Sequence, residues 1–137
     1  MTLVLDSSLA LAWCFEDERT EVATSLLYRV ADAGALVPAL WRLEVANGLQ
    51  SAIRRGRIDV AYRDAVLADL GALAIAIDPE TDRRAWSDIL ALADRFRLTV
   101  YDAAYLELAH RHQLPLATLD QALRAAGHTL NVALLGL

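Results

Sequence analysis

Short apolar runs that do not alternate with polar residues recur along this chain at residues 2–5, 35–37, 73–77, 114–118 and 129–135, with helical periodicity between them. An alternating strand has one wet face; an unalternating one is buried on both. Strands of that kind joined by helices form a parallel sheet with helices on each side. The expected architecture is therefore a three-layer α/β/α fold around a central parallel sheet of about five strands. Helices are expected from Asp6-Ser7-Ser8 onward and over 20–33, 40–55, 59–70, 82–96, 99–112 and 121–126. Gly34, Gly56, Gly71 and Gly127 stand as stop signals for four of them. No linker or repeat interrupts the pattern, so residues 1–137 are expected to form one domain.

In an open parallel sheet, ligands collect at the carboxyl ends of the strands. Acids stand where that edge should be. Asp6 directly follows the first apolar run, and Asp120 follows Leu116-Ala117-Thr118-Leu119. Asp102 opens the helix at 99–112. There Glu107, His110 and Arg111 read as a solvent stripe, while Asp102 falls on the side of Tyr105, Leu106 and Ala109. Glu44 shares its helix face with Trp41, Asn47, Gly48 and Ser51, small and polar groups that leave room for a ligand.

Two accounts compete for these acids. Asp6 and Asp120 can each cap a helix, and Thr99-Val100-Tyr101-Asp102 fits a capping box. Capping gives no reason for all four to meet on one edge, whereas a shared cation does. Carboxylates about 4 Å apart repel by roughly 4 kcal/mol at an effective dielectric of 20. A divalent ion removes that conflict, and an all-oxygen donor set selects Mg²⁺ or Mn²⁺ over Zn²⁺. Such an ion activates water and neutralises charge on a phosphodiester, so metal-assisted hydrolysis is the expected chemistry.

Charge gives a mixed signal for a nucleic-acid substrate. The net charge is −5, yet all 13 basic residues are arginine. Arg54, Arg55, Arg57 and Arg63 fall in one segment, either a phosphate-contacting edge or a solvated helix end. Hydrophobic residues reach 56% of the chain, an excess that points to a partner-facing surface. Still, no run approaches the roughly 20 apolar residues needed to span a bilayer. The amino-terminal run lacks a basic flank and meets Asp6 at once, so it reads as a strand and the chain as cytoplasmic. Cys14 is the single cysteine and reads as a small buried apolar group. Trp13, Trp41 and Trp86 are expected in the core or an interface. Asp78 and Asp82 read as turn and cap residues around Pro79.

The chain resembles the PIN-domain ribonucleases, and among them the VapC-type toxins of toxin–antitoxin pairs. The resemblance rests on Leu3-Val4-Leu5-Asp6-Ser7-Ser8, Leu43-Glu44-Val45-Ala46-Asn47-Gly48-Leu49, Thr99-Val100-Tyr101-Asp102-Ala103-Ala104-Tyr105-Leu106 and Leu116-Ala117-Thr118-Leu119-Asp120, in the family's order. It implies Asp6 and Asp102 as the most direct metal ligands, with Glu44 and Asp120 completing the quartet. It implies Ser7 and Thr118 as hydroxyls that bond the acids or the substrate. A homodimer, Mg²⁺ or Mn²⁺, an RNA substrate (tRNA, rRNA or mRNA) and a cognate antitoxin follow from the same resemblance. The acidic stretch Cys14-Phe15-Glu16-Asp17-Glu18 departs from what a phosphate-facing loop prefers and suits a basic antitoxin better. Two other classes are weighed against this. A catalytically silent PIN-fold binding module would keep the fold without cutting. A receiver-like Mg²⁺-binding signalling domain needs a lysine opposite its acids, and the chain has no lysine.

Overall fold

A computed structural model describes residues 2–137. Among them, five parallel strands form one sheet in the order β3-β2-β1-β4-β5, with β1 Val4–Leu5, β2 Ala35–Val37, β3 Ile75–Ile77, β4 Leu116–Ala117 and β5 Leu134–Leu135. Val4 sits between Leu36 and Leu116 in register, and Leu5 pairs with Ala117. β1 is thus the central strand, and its residues are fully buried, as the unalternating pattern requires. The strands are shorter than their apolar runs, although flanking residues still bond across the ladder, Leu36 N–H to the Leu3 carbonyl at 2.9 Å and Val4 N–H to the Pro115 carbonyl at 2.8 Å. The three-layer α/β/α expectation holds.

The helices are α1 Ser7–Cys14, α2 Glu21–Ala33, α3 Trp41–Arg54, α4 Val60–Gly71, α5 Thr81–Arg84, α6 Leu90–Phe96, α7 Val100–His112 and α8 Gln121–Thr129. Local chemistry explains several of their ends. Thr20 caps α2 by accepting from the Ala23 N–H, and Asp59 caps α4 through the Tyr62 N–H. Gly34 ends α2 at φ 78°, and a Cβ there would lie 2.6 Å from the Ala74 carbonyl oxygen, so glycine alone permits the tight entry into β2. Leu3, Leu5, Leu9, Val30, Leu49, Tyr105, Leu106 and Leu116 pack the main core between the layers.

The helix foreseen over 82–96 forms, with α5, a wide π turn at Ala85–Ile89 and α6 in unbroken succession, while three other expectations fail, each for a physical reason. That turn turns Trp86 out to 92% exposure, while Trp13 and Trp41 lie in the core. α8 runs through Gly127 to Thr129, because the missing side chain leaves room for Leu134, whose Cδ2 would lie 2.8 Å from a Cβ. The last strand is correspondingly reduced to Leu134–Leu135. Finally, Glu107 and Arg111 do not form a solvent stripe. Glu107 is 5% exposed, and Arg111 bridges it (Nε to Oε2, 2.8 Å) to the buried Asp78 (Nη2 to Oδ2, 2.6 Å). Asp78 still accepts from the Glu80 N–H as a turn residue should, but its main partner is this guanidinium, whose bonds hold its carboxyl below the usual range against the opposing effect of burial.

Arg111 therefore fastens α7, the helix that carries Asp102, to the end of β3. Removing it would leave two buried carboxylates without their cation. Arg111→Ala is expected to cost about 3–5 kcal/mol of unfolding free energy in urea titrations. A cost below about 1 kcal/mol would mean the network carries no such load.

Candidate functional site

Because all five strands are parallel, the residues that follow them emerge at one edge of the sheet. Asp6 follows β1, and Thr118 to Asp120 follow β4, its hydrogen-bonded neighbour. Asp102 enters from the first turn of α7 and Glu44 from the first turn of α3. The four acids are near enough for their charges to act on one another. Asp6 feels Glu44 and Asp120, Asp102 feels Asp120 and Asp6, and Glu44 feels Asp102.

The helix-cap account divides among them. Asp120 does cap α8, with Oδ1 accepting from the Leu123 N–H at 2.9 Å. Asp6 occupies the cap position of α1, but its side chain makes no cap bond. At α7 the cap is Thr99, which accepts from the Asp102 N–H at 3.1 Å. Glu44 lies inside α3, whose start has no side-chain cap. Capping accounts for one carboxylate and leaves three.

Asp6 is only 3% exposed, and its partners show how a buried anion is kept. Its Oδ2 accepts from the Ser8 hydroxyl at 2.5 Å and from the Thr118 hydroxyl at 2.7 Å. Those hydroxyls in turn accept backbone N–H groups, Leu119 to Ser8 at 3.0 Å and Asp120 to Thr118 at 3.0 Å. A hydroxyl has one proton, so accepting an amide directs that proton toward the carboxylate. Glu44 is held in a comparable way. Its Oε1 accepts from the Tyr105 phenol at 2.6 Å and from Ser7 at 3.2 Å. Tyr105 is fully buried, and its own ionisation is pushed far up by that burial and then by the bond to Glu44.

Burial is the leading cause that raises the proton affinity of Asp6 and Glu44, while their hydroxyl bonds oppose it. Asp102 is pushed up to about 6, first by burial and then by Asp120 and Asp6, with the Thr99 hydroxyl working the other way. The donor chemistry, all carboxylate and hydroxyl oxygen with excess negative charge, fits a hard divalent cation. Among the described residues, however, no three acidic, histidine or cysteine side chains stand as a ready-made metal cluster.

The sequence reading placed Ser7 and Thr118 beside the acids but missed Ser8 and Tyr105. Ser8 was within reach, since an Asp–Ser bond two residues apart is a common local motif. Tyr105 carried a signal too, as a phenol on a buried helix face needs a polar partner, yet that partner lies 61 residues away. The arginine segment stands apart from this chemistry. Arg57 bonds Asp17 at 3.2 Å and Glu18 at 3.0 Å and lies 4.3 Å over the Phe15 ring, so it neutralises the acidic loop. Arg63 is engaged by Gln50 and Asp64, while Arg54 and Arg55 are exposed at the end of α3.

The family profile described as PIN domain matches residues 3–128. Ribonuclease VapC3 of Pyrobaculum aerophilum is 33% identical over 123 residues, covering 90% of this chain and 92% of that protein. Ribonuclease VapC3 of Mycobacterium tuberculosis is 36% identical over 102 residues, covering 72% and 69%. The crystal structure of PAE2754 from Pyrobaculum aerophilum superposes with a TM-score of 0.71 at 24% identity, covering 98% of this chain and 83% of that one, a likeness of fold.

The raised carboxylates carry a signed pH prediction. An acid that binds its proton more tightly when folded contributes stability below its unfolded pKa and loses it as pH rises through the folded value. For Asp102 that window runs from 3.8 to about 6. Asp102→Asn in chelator is therefore expected to melt a few degrees higher than the parent at pH 7, with the advantage vanishing near pH 4. Melting curves at both pH values check this; equal melting temperatures at pH 7 contradict it.

Proposed function

The chain belongs to the PIN-domain family, and we propose that it is an endoribonuclease dependent on Mg²⁺ or Mn²⁺, the toxin of a toxin–antitoxin pair. Asp6, Glu44, Asp102 and Asp120 are the residues assigned to hold the ion. The observation that carries this reading is the mutual charge stress of those acids at the carboxyl edge of the sheet, which one divalent cation relieves. The similarity to two ribonucleases, both VapC3, supports RNA as the substrate class.

When bound, the ion supplies charge neutralisation at the phosphate and a water activated for attack on phosphorus. The chain's own residues do the positioning. Ser8 and Thr118 fix the buried Asp6, and Tyr105 and Ser7 fix Glu44. Asp120 is anchored by the bond from the Leu123 N–H to its Oδ1 at the start of α8. Arg54 and Arg55 remain candidates for RNA phosphates, whereas Arg57 is committed to the acidic loop.

A cognate antitoxin and a homodimer complete the proposal. A groove of about 480 Å³, where Leu27, Tyr28, Val66 and Leu73 lie beside Arg19 and Asp69, offers a mixed apolar and charged surface that an antitoxin helix would bury. Tyr28 at its wall is 70% exposed.

RNA cleavage in Mg²⁺ is expected to fall about a hundredfold or more with chelator or with Asp6→Asn, while the fold persists. Cleavage that survives both changes would remove the metal reading. A folded protein that binds the ion yet cuts no RNA would favour the silent binding module instead.

A further inference from the structure

Two of the four acids share a feature that a simple acidic cluster lacks. Each has one oxygen saturated and one spared. A carboxylate oxygen accepts about two hydrogen bonds through its lone pairs. On Asp6 both bonds fall on Oδ2, from Ser8 and Thr118. On Glu44 both fall on Oε1, from Tyr105 and Ser7. The donors are themselves fixed. The Leu119 and Asp120 amides orient the Ser8 and Thr118 hydroxyls, and the Tyr105 ring is wholly buried.

This matters because divalent ions use carboxylates differently. Mg²⁺ requires near-octahedral geometry at about 2.0–2.1 Å and binds single oxygens. Ca²⁺ takes six to eight oxygens at about 2.3–2.6 Å and draws freely on both oxygens of one carboxylate. To grip Asp6 with both oxygens, an ion must break two hydrogen bonds to Oδ2; to grip Glu44, two to Oε1.

We propose that the Ser8–Thr118 pair on Asp6 and the Tyr105–Ser7 pair on Glu44 are specificity-determining clamps that confine each acid to single-oxygen ligation and so bias the site against Ca²⁺. The inference rests on the metal reading proposed above and assigns its selectivity to four positioning residues. None of them need touch the ion. Their effect is on how many oxygens it can reach.

The test uses the intact chain without RNA, with free Mn²⁺ counted by electron paramagnetic resonance and displaced by Mg²⁺ or by Ca²⁺. Tyr105→Phe removes one hydroxyl and leaves the buried ring. Ser8→Ala frees Asp6 Oδ2 from one donor; circular dichroism and melting curves establish that each variant is folded. The ratio of Ca²⁺ to Mg²⁺ affinity is expected to move toward Ca²⁺ on the order of tenfold in either variant. A structural weakening of the site would lower both affinities together and leave the ratio in place. Mn²⁺ binding that is lost in Asp6→Asn, with a ratio unchanged in Tyr105→Phe and Ser8→Ala, overturns the clamps while the metal reading stands. Mn²⁺ binding that is absent, or equal in Asp6→Asn, overturns both.

Discussion

Asp6 is a carboxylate buried at the end of the central strand, and the rest of the site depends on making that burial tolerable. Taking an anion out of water is costly unless fixed donors replace the lost solvation. The chain supplies them in two layers, backbone amides that orient hydroxyls and hydroxyls that face the carboxylate. The amides belong to the turn after β4, so the pairing of β1 with β4 and the solvation of Asp6 are one arrangement. A slip of β4 by one residue would exchange Thr118 for an apolar neighbour and strip Asp6 of a donor.

Stability and function pull against each other at this edge. The core, the helix caps and the Asp78–Arg111–Glu107 network all favour folding. Asp6, Glu44 and Asp102 oppose it, because burial first and then neighbouring carboxylates raise their proton affinity. Native chains keep such strain where a ligand relieves it. The clamped oxygens of Asp6 and Glu44 sharpen that view, since hydroxyl donors moderate the anions while leaving one oxygen of each uncommitted.

Much of this was legible in the amino-acid order, and the failures are informative. The strand positions could be read because a two-sided buried strand leaves an unbroken apolar run. The meeting of Asp6 with the Asp120 turn followed from parallel topology once those runs were placed. Asp120 was legible as a cap because capping is local. What escaped depended on partners far along the chain. Glu107 and Arg111 have the spacing of a wet helical face, and only Asp78, 33 residues from Arg111, turns them inward. Tyr105 reads as core until Glu44 is brought across to it. The π turn at Ala85–Ile89 leaves no mark in periodicity, as it inserts a register shift into an otherwise helical pattern.

The central claim is that four acids from distant segments serve one hard cation. Anomalous diffraction from crystals grown or soaked in Mn²⁺ tests it most directly. The account requires a Mn²⁺ peak at the carboxyl edge of the sheet, with oxygens of Asp6 and Asp102 within about 2.3 Å and Glu44 and Asp120 close by directly or through water. A Mn²⁺ peak elsewhere on the molecule, with no ion beside Asp6, would contradict it.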